Sequence, residues 1–130
     1  MSAVRTLGEA LALALLIASP NASACGACIE DKVAATYDHA VIERARTRHQ
    51  TVVFAAIDGK GDAVTLAREV KRAAARAPGV DVTSIRTAAD PSALSFALDP
   101  RVATPDATLA AIARAASRNA VSLAVIRVVR

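Results

Sequence analysis

The chain has 130 residues, 54% hydrophobic and 2% aromatic, with 16 Lys and Arg against 12 Asp and Glu for a formal charge of +4. That length allows one domain around one core. With only Tyr37, Phe54 and Phe96 as aromatics, the core must be built from small and branched aliphatic side chains, and there are no stacking platforms for nucleic acid.

At the start, Met1–Glu9 is weakly basic, with Arg5 offset by Glu9. Leu11–Ala18 follows as an apolar run too short to span a bilayer. Pro20 and Asn21 break it, and Ala22-Ser23-Ala24 offers small residues at −3 and −1. This order predicts a signal peptide over 1–24, cut after Ala24, and export to the periplasm or the extracellular space. Arg5 and Glu9 leave together, so the mature chain keeps its +4 charge and has no transmembrane span. Such a charge suits acidic partners or anionic lipid.

Residues 25–50 form the next segment, opening on Cys25-Gly26-Ala27-Cys28. The spacing of Ile29, Val33, Tyr37, Ala40 and Val41 predicts one extra helix from about Cys28 to Arg48, with these side chains on its packed stripe. Tyr37 is expected in the core, and His49 at the surface near the helix end.

The remainder, 51–130, contains an internal repeat. Val52–Arg86 and Leu94–Arg127 each run from a Phe-containing apolar stretch to Asp, through a loop into an Ala-rich helix, and on to a run ending Ile-Arg. Each half reads as strand, helix, strand, and Ala88–Ser92 reads as the turn between them. The expected fold is therefore α+β, a ferredoxin-like βαββαβ sandwich with an extra N-terminal helix. Asp62 caps the first helix of the repeat, which carries Leu66, Ala67, Val70 and Ala74 inward and ends by Pro78-Gly79. Thr104-Pro105-Asp106 opens the second as cap, first-turn proline and dipole-matched acid. The basic positions Arg68, Lys71, Arg72 and Arg76 fall on the solvent side of the first helix.

The stretch from Thr51 to Val129 resembles the heavy-metal-associated domain of copper chaperones and metal-transporting ATPases. Gly79-Val80, "ALSFALDP" at 93–100 and "LAAIARAA" at 109–116 carry the resemblance. In that family a Cys-x-x-Cys after the first strand holds the metal. Here that loop reads Asp58-Gly59-Lys60-Gly61-Asp62, and the motif is displaced to Cys25 and Cys28. The resemblance leaves Lys60 as a partner-contact position, because related domains hold metal in this loop. The loop itself lacks the spacing and the Ser/Thr of a phosphate-binding loop and reads as a turn.

Two soft thiolates, with the Cys25 amine as a further donor if it is the mature N-terminus, suit Cu(I) or another soft ion better than a structural zinc wanting four ligands. A redox-active pair, a structural disulfide and lipidation of Cys25 are the alternatives. Against lipidation stands Ala22, where a lipidation signal carries a large aliphatic residue. His39, eleven residues after Cys28, lies about 16 Å further along an ideal helix, too far to share its ion. A supporting or partner-contact position remains for it. The function expected is non-enzymatic: an exported protein that binds or traffics copper with a metal-donor or metal-acceptor partner, which an acidic surface would suit. Thiol–disulfide exchange is the enzymatic alternative. A third reading is an interaction domain whose cysteines are locked in a disulfide.

Overall fold

The computed structural model describes residues 21–116 and 120–130, with the side chains of 21–28 outside that description. Residues 1–20 of the expected signal peptide 1–24 therefore lie outside the described residues, and its last four belong to the first helix. The elements in chain order are α1 (Asn21–Thr36), α2 (His39–Thr47), β1 (Thr51–Asp58), α3 (Ala63–Ala74), a 3-10 turn (Val82–Ser84), β2 (Arg86–Ala89), β3 (Ser92–Leu98), α4 (Pro105–Ala115) and β4 (Ser122–Val129).

From β1 onward this is the βαββαβ order, and the strands lie side by side as β2-β3-β1-β4, every neighbouring pair antiparallel. Each strand–helix–strand half thus leaves a gap that a strand of the other half fills, as the ferredoxin-like arrangement requires. The second strand of the first half differs from the reading of the sequence. Val82–Ser84 forms a 3-10 turn instead of a strand, between an isolated Val80–Leu98 bridge and a ladder that begins at Arg86, so Ala88 and Ala89 belong to β2 and the turn tightens to Asp90-Pro91. The cause lies in Asp81 and Ser84. Asp81 caps the turn by accepting from the Thr83 N–H at 3.0 Å, and the buried Ser84 hydroxyl accepts the Ala97 N–H at 2.7 Å where a strand residue would have paired.

α3 and α4 cover one face of the sheet. Val70, Ala73, Ala74, Leu109 and Ile112 pack on Val53, Ala55, Leu94, Phe96 and Leu98. Both caps form as expected: Asp62 accepts from the Thr65 N–H at 3.0 Å and Thr104 from the Ala107 N–H at 3.2 Å. Gly79 follows α3 with φ +84°, and a Cβ there would stand 3.0 Å from the Val102 Cβ, so both its conformation and its space call for glycine.

On the opposite face, Val33 of α1 and Val41, Ile42 and Ala45 of α2 pack on Val52, Phe54 and Ala97. The molecule is thus three layers, helices–sheet–helices, which is why β1 and β3 are buried on both sides and read as near-continuous apolar runs. The extra segment is two helices instead of one. Asp38 ends the first register and caps the second, its carboxylate accepting from the Ala40 and Val41 N–H groups. This break rotates the stripe. Tyr37 leaves the expected core and is 54% exposed, while Thr36 and Ile42 turn inward.

Candidate functional site

One row of residues crosses the sheet in register: Arg86 on β2, Ser95 on β3, Phe54 on β1 and Arg127 on β4. α1 is held over this row at three points. Arg86 donates to Asp38 through Nε and Nη2 at 3.1 and 2.9 Å, the Ser95 hydroxyl donates to the Thr36 carbonyl at 3.0 Å, and Arg127 pairs with Glu30. Three strand gaps span about 14 Å; the helical residues from Glu30 to Thr36 rise about 9 Å, and Tyr37 and Asp38 carry the chain past the helix end to Arg86. α1 therefore runs across the strands, its Glu30 side at β4 and its Thr36 end at β2 and β3.

These pairs set the local electrostatics. The Arg86 guanidinium, followed by the Val41 and Ala40 N–H groups, holds the Asp38 carboxyl below its ordinary range. Arg127 does the same for Glu30, which in turn raises Arg127. On the β3–α4 loop, Arg101 lowers Asp99.

Cys25 and Cys28 are positions five and eight of α1, ahead of the Glu30 anchor; their side chains lie outside the described residues. Because the described part of α1 is already helical from Asn21, Cys28 stands beyond the first turn, where the dipole's stabilisation of a thiolate has fallen off. A helix starting at Cys25, as cleavage after Ala24 would make it, returns Cys28 to the first turn.

His39 opens α2 at the other end of α1 from the cysteines. It is exposed, with Nδ1 3.4 Å from the Tyr37 hydroxyl. Lys60 is exposed in the loop after β1, in a turn that Gly61 closes at φ +104°. About 13 Å of strand separates Phe54, where α1 crosses, from Asp58, where that loop begins. His39 and Lys60 therefore stand on separate parts of the surface. His49 is exposed at φ +55°, just after α2, as a helix-terminal surface residue.

Among the described residues no three His, Cys, Asp or Glu side chains form a group able to hold a metal ion. The Asp58–Asp62 loop, with Lys60 between its carboxylates, does not fit one either. Thiolates on α1 are the donor set that suits a soft cation. A cleft of about 590 Å³ opens between the end of α2 and the start of α4, lined by Arg46, His49, Thr104 and Arg130 among others, and neither His39 nor Lys60 borders it. The reading of the sequence missed the α1 clamp. Its signal was there in the acids Glu30 and Asp38, spaced to the width of a four-stranded sheet, but their arginines lie 48 and 97 residues away.

Among the described residues no helix is long and apolar enough to cross a membrane. Comparison of the chain with protein-family models, curated proteins and solved structures gives no match.

Proposed function

We propose that the protein is exported and binds a soft metal ion, Cu(I) foremost, through the thiolates of Cys25 and Cys28, passing it to or buffering it for a partner protein. The observation that carries this reading is the placement of both cysteines three residues apart within one helix, α1. Positions i and i+3 of a helix face the same way with Cβ atoms about 5–6 Å apart, whereas a disulfide holds them about 3.5–4.5 Å apart. While the helix persists, an ion bridging two sulfurs suits that spacing better than a direct bond between them. A two-thiolate set also suits Cu(I), which accepts low coordination and soft donors.

The frame supports the same reading. A ferredoxin-like sheet is what the motifs around Gly79, Phe96 and Ile112 imply for a heavy-metal-associated domain, and α1 supplies the thiols that its usual loop lacks. The clamp to Arg86, Ser95 and Arg127 gives the helix a fixed seat on the sheet. His39 and Lys60 are then partner contacts, away from the ion.

Native mass spectrometry of the protein recovered from the exported fraction, before and after Cu(I) under reducing conditions, tests this. The expected result is a chain beginning at Cys25 that gains one copper, with the gain lost in Cys25→Ser and in Cys28→Ser. Unchanged copper stoichiometry in both variants would sink the reading. A mass two hydrogens light that ignores reductant and copper would replace it with a disulfide-tied domain. A reduction potential near that of exchange proteins would replace it with thiol–disulfide exchange.

A further inference from the structure

On the outer side of the α3/α4 layer, Arg68, Lys71, Arg72 and Arg76 are all exposed. Three of them recur every fourth residue, Arg68, Arg72 and Arg76, and so form a single row about 12 Å long at 1.5 Å rise per residue. Arg76 lies in the turn that prolongs α3, its N–H bonded to the Ala73 carbonyl at 3.1 Å. Like charges at this spacing repel and weaken a helix. The only carboxylate on α3 is Glu69, so four cations against one acid leave this ridge at +3. None of the four cations enters a salt bridge among the described residues, whereas Arg46, Arg48, Arg86, Arg101 and Arg127 all do. Exposed Arg114 adds a further cation on α4. Between the two helices runs a groove of about 280 Å³ lined by Glu69, Arg72, Arg76 and the alanines 73, 115 and 116.

We propose that this ridge docks the protein on an anionic phospholipid surface, with Arg72 and Arg76 taking a headgroup phosphate at the mouth of the groove. The guanidinium fork matches phosphate geometry, and two forks one helical turn apart converge on the same opening. An acidic protein is the other source of negative charge, but the ridge offers no aromatic or large aliphatic anchor at its centre, and stable protein interfaces are held by such anchors. Attraction to anionic headgroups needs none, because each Arg or Lys near the surface contributes by charge alone. The inference is independent of metal binding, since α3 lies on the opposite side of the sheet from α1.

The test is co-sedimentation of the full chain with vesicles of phosphatidylcholine alone and of phosphatidylcholine with an equal part of phosphatidylglycerol. The ratio of anionic to neutral partitioning is the readout, because apolar insertion by Leu11–Ala18 contributes to both vesicles alike. The wild-type ratio is expected well above one and to fall with salt. Arg72→Gln with Arg76→Gln should lower it about 25-fold, roughly fivefold per arginine. The same charge change on the other layer, Arg44→Gln with Arg46→Gln, should leave it within about twofold, and unchanged circular dichroism in both variants shows that folding is intact. A wild-type ratio of one, or an equal drop in both double variants, overturns the proposal. Binding to poly-glutamate without binding to anionic vesicles overturns it in favour of an acidic protein partner.

Discussion

Asp38 shows how much one side chain carries here. Its carboxylate ends α1, caps α2 through two N–H groups and receives the Arg86 fork from the edge strand β2. All three contacts favour the ionised form, which is why its folded-state pKa lies below the ordinary value. The unfolded chain therefore takes up a proton there at higher pH than the folded one. The stabilisation is fully present above the unfolded pKa and is lost as pH falls through the carboxylate range toward the folded pKa. Glu30 and Asp99 are lowered in the same way and add to the same acid-side loss. Thermal melts from pH 7 down to pH 2 should show it. Asp38→Asn, which retains a capping oxygen but not the titrating charge, should melt lower at pH 7 and fall less steeply in acid. An acid-side fall as steep as that of the wild type would exclude Asp38 as a contributor.

At the scale of elements, the β-strands are specified by what covers them. β1 runs Thr51–Asp58 with Phe54 inward to α1 and α2, and Val53 and Ala55 inward to α3 and α4. β4 covers less. A register shift between Phe54 and Ala55 leaves Ile126 without a direct partner on β1; the extra residue sends Ile126 toward the α1/α2 layer, while Leu123 remains on the other. Phe54 is the largest fully buried side chain in the α1/α2 layer, at 2% exposure. Phe54→Ala should cost about 3–5 kcal/mol, and because α1 and α2 share that contact, amide exchange should rise first in those two helices. Loss of stability spread evenly over both helical layers would show that the layers do not separate in this way.

The whole molecule is a sheet buried from both sides, so the N-terminal segment belongs to the core. Deleting residues 1–50 uncovers Val52, Phe54 and Ala97, together with the partly buried Ile126 and Val129. That patch leaves a self-associating surface. The truncated chain should aggregate or elute by size-exclusion chromatography as a larger species than the 130-residue chain does. A soluble, folded monomer from residues 51–130 would show that α1 and α2 are an appendage. Such a result would also separate the thiols from the stability of the sheet.

Much of this architecture was legible in the chain. The Phe-to-Asp strands, the Asp62 and Thr104 caps and the Pro78-Gly79 stop are local signals, written within a few residues of where they act, and the repeat supplied the βαββαβ order. The break at Tyr37-Asp38 was less visible, because a stripe read at helical spacing continues smoothly through Asp38, whose carboxylate instead caps a second helix at Ala40 and Val41. β2 was displaced for a similar reason: Val82 and Ile85 look like strand residues until the Ser84 hydroxyl takes the Ala97 N–H. The candidate thiols were found from spacing alone, since Cys-x-x-Cys is a local pattern, whereas their seat on the sheet depends on Glu30 and Arg127, 97 residues apart. The sequence by itself determined the class of fold and the capped starts of α3 and α4, because propensity and capping act locally. Only the tertiary structure decided that α1 crosses all four strands, that both faces are covered, and that, among the described residues, Arg68, Arg72 and Arg76 enter no salt bridge while five other arginines find carboxylates. Those outcomes depend on residues far apart in the chain meeting across the sheet.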